Sequence, residues 1–100
     1  MNQVLTDSFD KIIALCERHR VLSLYVFGSV LTQNFNSGSD IDFLVQFNTA
    51  DITDYATNYF SLKESLESEL GRSVDLVEDQ SIRNPIFRHN VDRTKVPIYG

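Results

Sequence analysis

The sequence predicts a small α/β protein of the α+β type, in which helices pack on a mixed β-sheet. Two observations support this fold class. Segments whose apolar residues recur at helical spacing alternate with short runs of β-branched and aromatic residues. The predicted order is α-β-β-α-β-α-β, and a chain that interleaves its elements in this way covers the sheet with the helices. The 100 residues, 42% of them hydrophobic, are expected to form a single domain over residues 1–100.

Three segments have the spacing of amphipathic helices. The predicted ranges are residues 6–20, 51–70 and 82–92. Thr6 or Asp7 can cap the first helix, because a side-chain oxygen there accepts from a backbone N–H that lacks a helical partner. Gly71 is expected to end the second helix in the left-handed conformation, and Pro85 is tolerated in the first turn of the third.

Four short runs are predicted to form the strands of the sheet. Their ranges are residues 22–27, 41–47, 73–77 and 96–99. The last strand is expected at an edge, because Pro97 has no N–H to donate to a neighbouring strand. Residues 29–34 are predicted to form one or two helical turns, and residues 34–39, rich in Asn, Ser and Gly, form a loop.

Composition argues against several classes of protein. The chain has no apolar run near the ~20 residues that a membrane span needs. The N-terminus lacks the basic start and apolar stretch of a secretion signal. A single cysteine, Cys16, cannot form an internal disulfide and is interpreted as a buried core thiol. We therefore expect a cytoplasmic protein without a membrane partner.

Charge is unevenly distributed along the chain. Residues 1–80 hold 13 acidic and 5 basic side chains, so this body is a poor surface for polymeric nucleic acid, and no direct contact with such a polymer is expected. Residues 81–100 hold one acidic and four basic side chains: Arg83, Arg88, Arg93 and Lys95. This basic tail either contacts a small anion or forms a solvated face that balances the acidic body.

The stretch FGSVLTQNFNSGSDIDF, residues 27–43, joins two polar motifs to the ends of predicted strands. Asp40 and Asp42 share one face of the second strand, while its alternate apolar residues form a core face. Asp75 lies in the middle of the third strand and would join them if the two strands are neighbours. Two adjacent carboxylates repel each other unless a cation lies between them. Mg²⁺ suits this site because it prefers oxygen ligands, and three aspartates can hold two ions ~4 Å apart.

Gly28 and Ser29 supply a second half for such a site. They lie between the end of a strand and a predicted helical start, where backbone N–H groups favour an anion such as phosphate. Neither motif is specific alone: ~0.8 Asp-x-Asp matches are expected by chance in this composition. The ordered combination of Gly-Ser, a gap of ten residues, the aspartate pair and a further aspartate is much rarer, and it predicts a nucleotide and metal site.

This combination resembles the signature of the DNA polymerase β-like nucleotidyltransferase superfamily. The short chain is similar to the minimal nucleotidyltransferase domain, as in the MntA-type antitoxins that pair with HEPN-domain ribonuclease toxins. The resemblance covers roughly residues 8–99 and implies a palm-like sheet. It also implies an enzyme that uses a nucleoside triphosphate, with ATP expected, together with two Mg²⁺ ions.

The resemblance also assigns roles to individual residues. It implies that Asp40 and Asp42 ligate Mg²⁺, and that Asp75 completes the site and helps to activate an attacking hydroxyl. It implies that Gly28 and Ser29 hold the terminal phosphates of the nucleotide. One departure concerns the residue after Gly-Ser, which is arginine in many relatives and Val30 here. Three arginines are candidates to compensate for it: Arg72, Arg83 and Arg88.

The acceptor of the nucleotide is inferred from the size of the chain. One hundred residues leave little material for an acceptor pocket, so another protein is expected to bring the acceptor. The resemblance implies a hydroxyl, expected on Tyr, of a cognate HEPN toxin in a hetero-oligomer. One alternative is a non-catalytic module that neutralises a toxin by binding it, with the acidic body facing a basic surface. A further alternative is transfer to a small molecule.

Other side chains receive structural interpretations. His19 and His89 are far apart in sequence and are expected to be ordinary surface residues rather than zinc ligands. Three aromatic residues of the second helix are expected in the core rather than on a stacking surface: Tyr55, Tyr59 and Phe60.

Overall fold

The computed structural model describes residues 2–100. The helices are α1 (Gln3–Asp7), α2 (Phe9–Arg18), α3 (Tyr55–Leu70) and α4 (Pro85–Thr94). The strands are β1 (Val21–Phe27), β2 (Ile41–Phe47), β3 (Val74–Glu78) and β4 (Val96–Tyr99). Short 3-10 turns cover Gly28–Leu31, Thr49–Asp51 and Asp79–Ser81. No helix among residues 2–100 is long and apolar enough to cross a membrane.

The strands form a mixed sheet in the order β3-β2-β1-β4. Strand β2 runs parallel to β3, whereas β1 is antiparallel to both β2 and β4. The predicted fold class is therefore confirmed. Strand β4 lies at the edge, as predicted from Pro97, which has Tyr25 as its partner on β1.

The two faces of the sheet are covered to different extents. On one face, Ile41, Phe43 and Val45 are fully buried in the main core, with residues of α1, α2 and α3. On the other face, a smaller cluster joins Leu44 and Phe27 to Val91 of α4. The alternation along β2 confirms the predicted core face. Because a single helix packs on the second face, the side chains of that face can be reached from solvent.

The first predicted helix is two helices, so its predicted range and caps are wrong. Ser8 has φ −107° and ψ 8° between α1 and α2, and its N–H donates to Leu5 O. Asn2 caps α1, because its side chain accepts from the N–H of Val4. Thr6 lies inside α1, where its hydroxyl donates to the carbonyl of Gln3 instead of capping a helix.

Caps also explain where the other two helices begin. Asp54 accepts from the N–H of Thr57, so α3 begins at Tyr55 rather than at residue 51. Asn84 accepts from two N–H groups of the first turn of α4, which therefore begins at Pro85 rather than at residue 82. Gly71 follows α3 with φ 65°, and its predicted left-handed conformation is confirmed.

Two predictions about side chains are wrong. His19 is only 6% exposed, because its ring fits between α2 and α3 and hydrogen-bonds Ser61, so it is not a surface residue. Phe60 is 56% exposed and lies outside the core. Tyr55 and Tyr59 pack against the main core, and Cys16 is fully buried, as predicted.

Candidate active site

The site is built where β1 ends beside the start of β2. Phe27, the last residue of β1, is the partner of Asp42 on β2, so Gly28 leaves the sheet directly over the Asp42 side chain. Gly28 has φ +81°, which L residues rarely adopt. A Cβ placed on Gly28 would lie 2.2 Å from Oδ2 of Asp42. The glycine therefore allows the backbone to approach the carboxylate closely.

The parallel pairing of β2 with β3 brings two of the predicted aspartates together. Asp42 and Asp75 are direct partners in the register, one strand spacing apart. Asp40 lies two residues before Asp42, just ahead of β2. Asp40 and Asp75 are exposed, whereas Asp42 is half-buried. The carboxylates thus lie at the open face of the sheet, and the most sheltered of them is Asp42.

Electrostatics single out Asp42. Burial, and to a smaller extent the negative charges of Asp75 and Asp40, together raise the pKa of its carboxyl to about 6. The four ion pairs found among residues 2–100 lie elsewhere, so no Lys or Arg of this part of the chain neutralises the three aspartates. The site therefore favours an added cation.

The carboxylate oxygens of these residues are suitable ligands for Mg²⁺, although they do not surround an ion completely. Among residues 2–100, no three His, Cys, Asp or Glu side chains lie close enough together to hold a metal ion on their own. Mg²⁺ is commonly bound by one or two carboxylates together with water and substrate phosphates. Carboxylates in register beside a glycine turn are suitable for that kind of open coordination.

Helix α4 forms one wall of the site. An open pocket of about 320 Å³ lies between this helix and the β1–β2 edge, and it is lined by Phe27, Gly28, Asp42, Phe87, Asn90, Val91 and Thr94. A second pocket of about 540 Å³ adjoins it at Gly28 and Thr94. The sequence interpretation missed this wall. Its signal was the i, i+3, i+4, i+7 spacing of residues 87, 90, 91 and 94, which polar Asn90 and Thr94 obscure.

The turn after Gly28 is held by its own hydrogen bonds. The carbonyl of Ser29 accepts from both the N–H and the hydroxyl of Thr32. Val30 is 3% exposed and belongs to the main core. Val30 therefore has a packing role here.

Two of the arginines that could compensate for Val30 are engaged elsewhere. Arg72 donates to the carbonyls of Asn36 and Ser39 and so holds the loop before β2. Arg88 pairs with Asp79 at 2.8 Å, which fixes α4 to the turn after β3. Arg83 is exposed ahead of α4.

Comparison with known proteins agrees with this architecture. A family model described as polymerase beta, nucleotidyltransferase matches residues 10–100. Two proteins of Methanocaldococcus jannaschii, named as candidate protein adenylyltransferases, are 33% and 36% identical to this chain over 78 residues each. Each match covers 78% of this chain, and 77% and 76% of the respective relatives.

Solved structures give the same result. A structure described as a candidate minimal nucleotidyltransferase has a TM-score of 0.78 and 32% identity, and the match covers 97% of this chain and 96% of that one. A toxin–antitoxin structure with AMP-PNP has a TM-score of 0.70 and 29% identity, over 92% of this chain and 73% of that one. A structure of a tri-AMPylated Shewanella oneidensis HEPN toxin in complex with MNT antitoxin has a TM-score of 0.64 and 28% identity. This match covers 95% of this chain and 71% of that one.

The fold and these similarities define the class of protein: the chain is a nucleotidyltransferase. More narrowly, it belongs to the polymerase beta nucleotidyltransferase family, which confirms the resemblance inferred from the Gly-Ser and Asp-x-Asp motifs.

Proposed function

We propose that this protein is an antitoxin that transfers AMP from ATP to a tyrosine hydroxyl of a HEPN-domain ribonuclease toxin. The observation that carries the catalytic part is the register of Asp42 with Asp75, under the backbone of Gly28. The partner is supported by the relatives named as protein adenylyltransferases and by the related antitoxin found with an AMPylated HEPN toxin. Residues 1–100 act as one minimal catalytic domain.

Gly28 and Ser29 hold the terminal phosphates of the nucleotide in this proposal. Gly28 borders both pockets beside α4, so a triphosphate placed there lies next to the carboxylates. The Ser29 carbonyl is already used by Thr32, which leaves the turn fixed in place. A rigid turn lowers the entropy that must be lost when the phosphates bind.

Asp40, Asp42 and Asp75 would hold Mg²⁺, with two ions proposed. Bound there, Mg²⁺ neutralises charge on the phosphates and lowers the pKa of the attacking hydroxyl. The half-buried Asp42 is the central ligand, since it adjoins both Gly28 and Asp75.

The chemical step is a displacement at the α-phosphorus of ATP. The acceptor oxygen forms a bond to this phosphorus while the bond to the bridging oxygen of the β-phosphate breaks, and pyrophosphate leaves with the bonding pair. The exposed carboxylate of Asp75 accepts the proton of the acceptor hydroxyl. Asp75 suits this role because its side chain lies at the open side of the acidic site.

The test is the intact mass of the protein encoded beside this chain in the genome. It is measured after incubation with this protein, Mg²⁺ and each nucleoside triphosphate in turn. We expect a gain of one or more AMP groups with ATP, and peptide mapping then places them on Tyr.

Two variants serve as controls. Asp42→Asn should abolish the mass gain, because it removes the central carboxylate. Asp10→Asn, an exposed aspartate on α2, should leave the gain unchanged. The proposed transfer would be wrong if the wild type produced no mass gain and Asp42→Asn formed an equally stable complex with the same protein. The chain would then neutralise its partner by binding alone.

A further inference from the structure

Two large apolar side chains are exposed on α4. Ile86 is 73% exposed and Phe87 is 41% exposed, although both lie in the first turn of a helix that packs on the sheet. Removing large apolar side chains from water is favourable, so two such neighbours suggest a surface that is covered in a complex.

This exposed surface is continuous with the candidate active site. Phe87 lines the same pocket as Asp42 and Gly28. Its ring meets Phe27 edge to face, with 6.1 Å between the ring centroids. A side chain that rests on Ile86 and Phe87 would therefore be next to the acidic pocket.

The surface has a polar continuation along α4. Ile86, Asn90 and Arg93 recur at i, i+4 and i+7 and are all exposed, so they form one stripe along the helix, and Asn90 also borders the pocket. Arg88 and Lys95 are paired with Asp79 and Asp92, whereas none of the ion pairs among residues 2–100 includes Arg93. Arg93 is thus available to a carboxylate of another molecule.

The layering of the fold limits how an acceptor protein can reach the site. The opposite face of the sheet is covered by α1, α2 and α3, which share the main core with it. The carboxylates lie on the face that α4 covers alone. An acceptor hydroxyl must therefore arrive past α4 or past the open edge at β3.

We propose that Ile86, Phe87, Asn90 and Arg93 form the docking face for the protein that carries the acceptor hydroxyl, an inference that rests on the proposed transfer. The occupant is a segment of the acceptor protein with an apolar side chain against Ile86 and Phe87, and a carboxylate opposite Arg93. Arg83 and Arg93, which none of the ion pairs among residues 2–100 includes, favour an acidic segment there. The docked segment holds its hydroxyl beside Asp75 and Asp42.

The experiment measures AMP transfer to the protein encoded beside this chain, as a function of its concentration, for the wild type and three variants. Ile86→Asp places a charge on the apolar part, and an acidic residue in the first helical turn is favourable for folding. Arg93→Glu reverses the charge of the polar part. Phe60→Asp is the matched control, since Phe60 is an exposed apolar residue on α3, under the opposite face of the sheet.

We expect the KM for the acceptor protein to rise about tenfold or more in Ile86→Asp, as for truncated interface anchors. In Arg93→Glu the KM should rise as well, and this increase should shrink at high salt. Phe60→Asp should keep the wild-type KM. The affinity for Mg²⁺-ATP, measured by calorimetry, should be unchanged in all three variants, which shows that they are folded and that the nucleotide site is intact.

Failure of this inference differs from failure of the proposed transfer. If the wild type modifies no acceptor, the proposed function itself is wrong. If the wild type transfers AMP and Ile86→Asp keeps the KM of Phe60→Asp, the docking face is wrong while transfer stands. The docking face would also be wrong if the wild type dimerised through it while Ile86→Asp was monomeric and transferred AMP normally. That result would show that the face binds a second copy of this chain.

Discussion

The backbone of Gly28 lies so close to Asp42 that a single added carbon would be 2.2 Å from the Oδ2 atom of the carboxylate. The closeness follows from the register, because Phe27 is the partner of Asp42 and the chain must leave β1 at the next residue. The φ of +81° at Gly28 then turns the backbone over the carboxylate. One glycine thus sets both the path of the turn and the position of an acidic side chain.

Replacing Gly28 with alanine should abolish transfer and destabilise the protein. The new Cβ displaces Asp42, and the left-handed conformation itself costs about 1–2 kcal/mol for a residue with a side chain. We expect lower thermal stability and no measurable AMP transfer. Both are measured on one preparation, by circular dichroism and by intact mass.

Gly71→Ala is the matched control for Gly28→Ala. Gly71 has a positive φ of 65°, but a Cβ placed there would meet nothing within 4 Å. This variant should lose a similar amount of backbone stability while keeping full transfer. Equal activity of the two alanine variants would show that the contact between Gly28 and Asp42 has no catalytic importance.

Asp42→Asn should stabilise the protein at neutral pH. The folded state raises the pKa of Asp42 to about 6 from its ordinary value of 3.8, chiefly through burial. The folded protein therefore binds this proton more tightly than the unfolded chain does, and the wild type loses stability as the pH rises from about 4 to 6. Asparagine has no charge to bury, so the variant avoids the loss.

The size of this effect is limited by solvent. The rise in the pKa of Asp42 would correspond to about 3 kcal/mol in the free energy of unfolding if the carboxyl were fully buried. Because the carboxyl is half-exposed, screening by water reduces this contribution to about 1 kcal/mol. At pH 7 the variant should thus melt about 4–8 °C above the wild type. The difference should vanish near pH 4. A lower melting temperature for the variant at pH 7 would show that the ionised carboxylate of Asp42 does not destabilise the folded protein.

Mg²⁺ should raise the melting temperature of the wild type without nucleotide. A ligand that binds only the folded state stabilises it by about 1.4 kcal/mol at ten times its Kd. Asp42→Asn should show little of this increase, because the central carboxylate is missing. The measurement is a Mg²⁺ titration of both proteins by differential scanning fluorimetry at pH 7.5. Equal shifts in the two proteins would place the bound ion elsewhere.

The sequence predicted the strand ranges better than it predicted the helix ends. The strand ranges followed, to within one residue, from a period of two and from β-rich composition, which local residues determine. The pairing of Asp42 with Asp75 required in addition that β2 and β3 be neighbours, which the local pattern does not determine. The helix starts depended on which of several polar residues acts as a cap. Thr6 and Asp54 are both acceptable caps by residue type, but only Asp54 accepts from the helix that follows it.

Tertiary packing explains the remaining errors. His19 was predicted to be a surface residue because no metal ligand lies near it in the sequence, yet α3 supplies Ser61 as a hydrogen-bond partner 42 positions away. Phe60 is of an apolar residue type common in protein cores, but it lies on the side of α3 that faces solvent. The wall that α4 adds to the site is likewise set by how the helix packs, through Phe27 and Arg88, and not by a local pattern.

Cys16 should not react with thiol reagents in the folded protein. The residue is fully buried, and burial raises the pKa of its thiol to about 12, so the reactive thiolate is almost absent at neutral pH. We expect no reaction with a chromogenic disulfide reagent at pH 8, and one thiol per chain in denaturant. Rapid labelling without denaturant would show that the contact between α2 and the main core opens readily.

His19→Ala should destabilise the protein without affecting transfer. The Nδ1 atom lies 2.8 Å from Leu15 O, and since a carbonyl can only accept, Nδ1 donates; Nε2 lies 2.9 Å from the Ser61 hydroxyl. Removing the ring breaks both bonds and leaves a buried gap between α2 and α3, which should cost about 2 kcal/mol in the free energy of unfolding.

Urea denaturation gives that free energy, and His89→Ala is the control, because His89 is exposed on α4. The control should unfold at the wild-type urea concentration. AMP transfer by His19→Ala should match the wild type at a temperature where both proteins are folded. His19 precedes the first residue of β1 and Gly28 follows its last residue, so the two residues lie at opposite ends of this strand. A loss of transfer in folded His19→Ala would show that the packing of α2 on α3 influences the position of the acidic site.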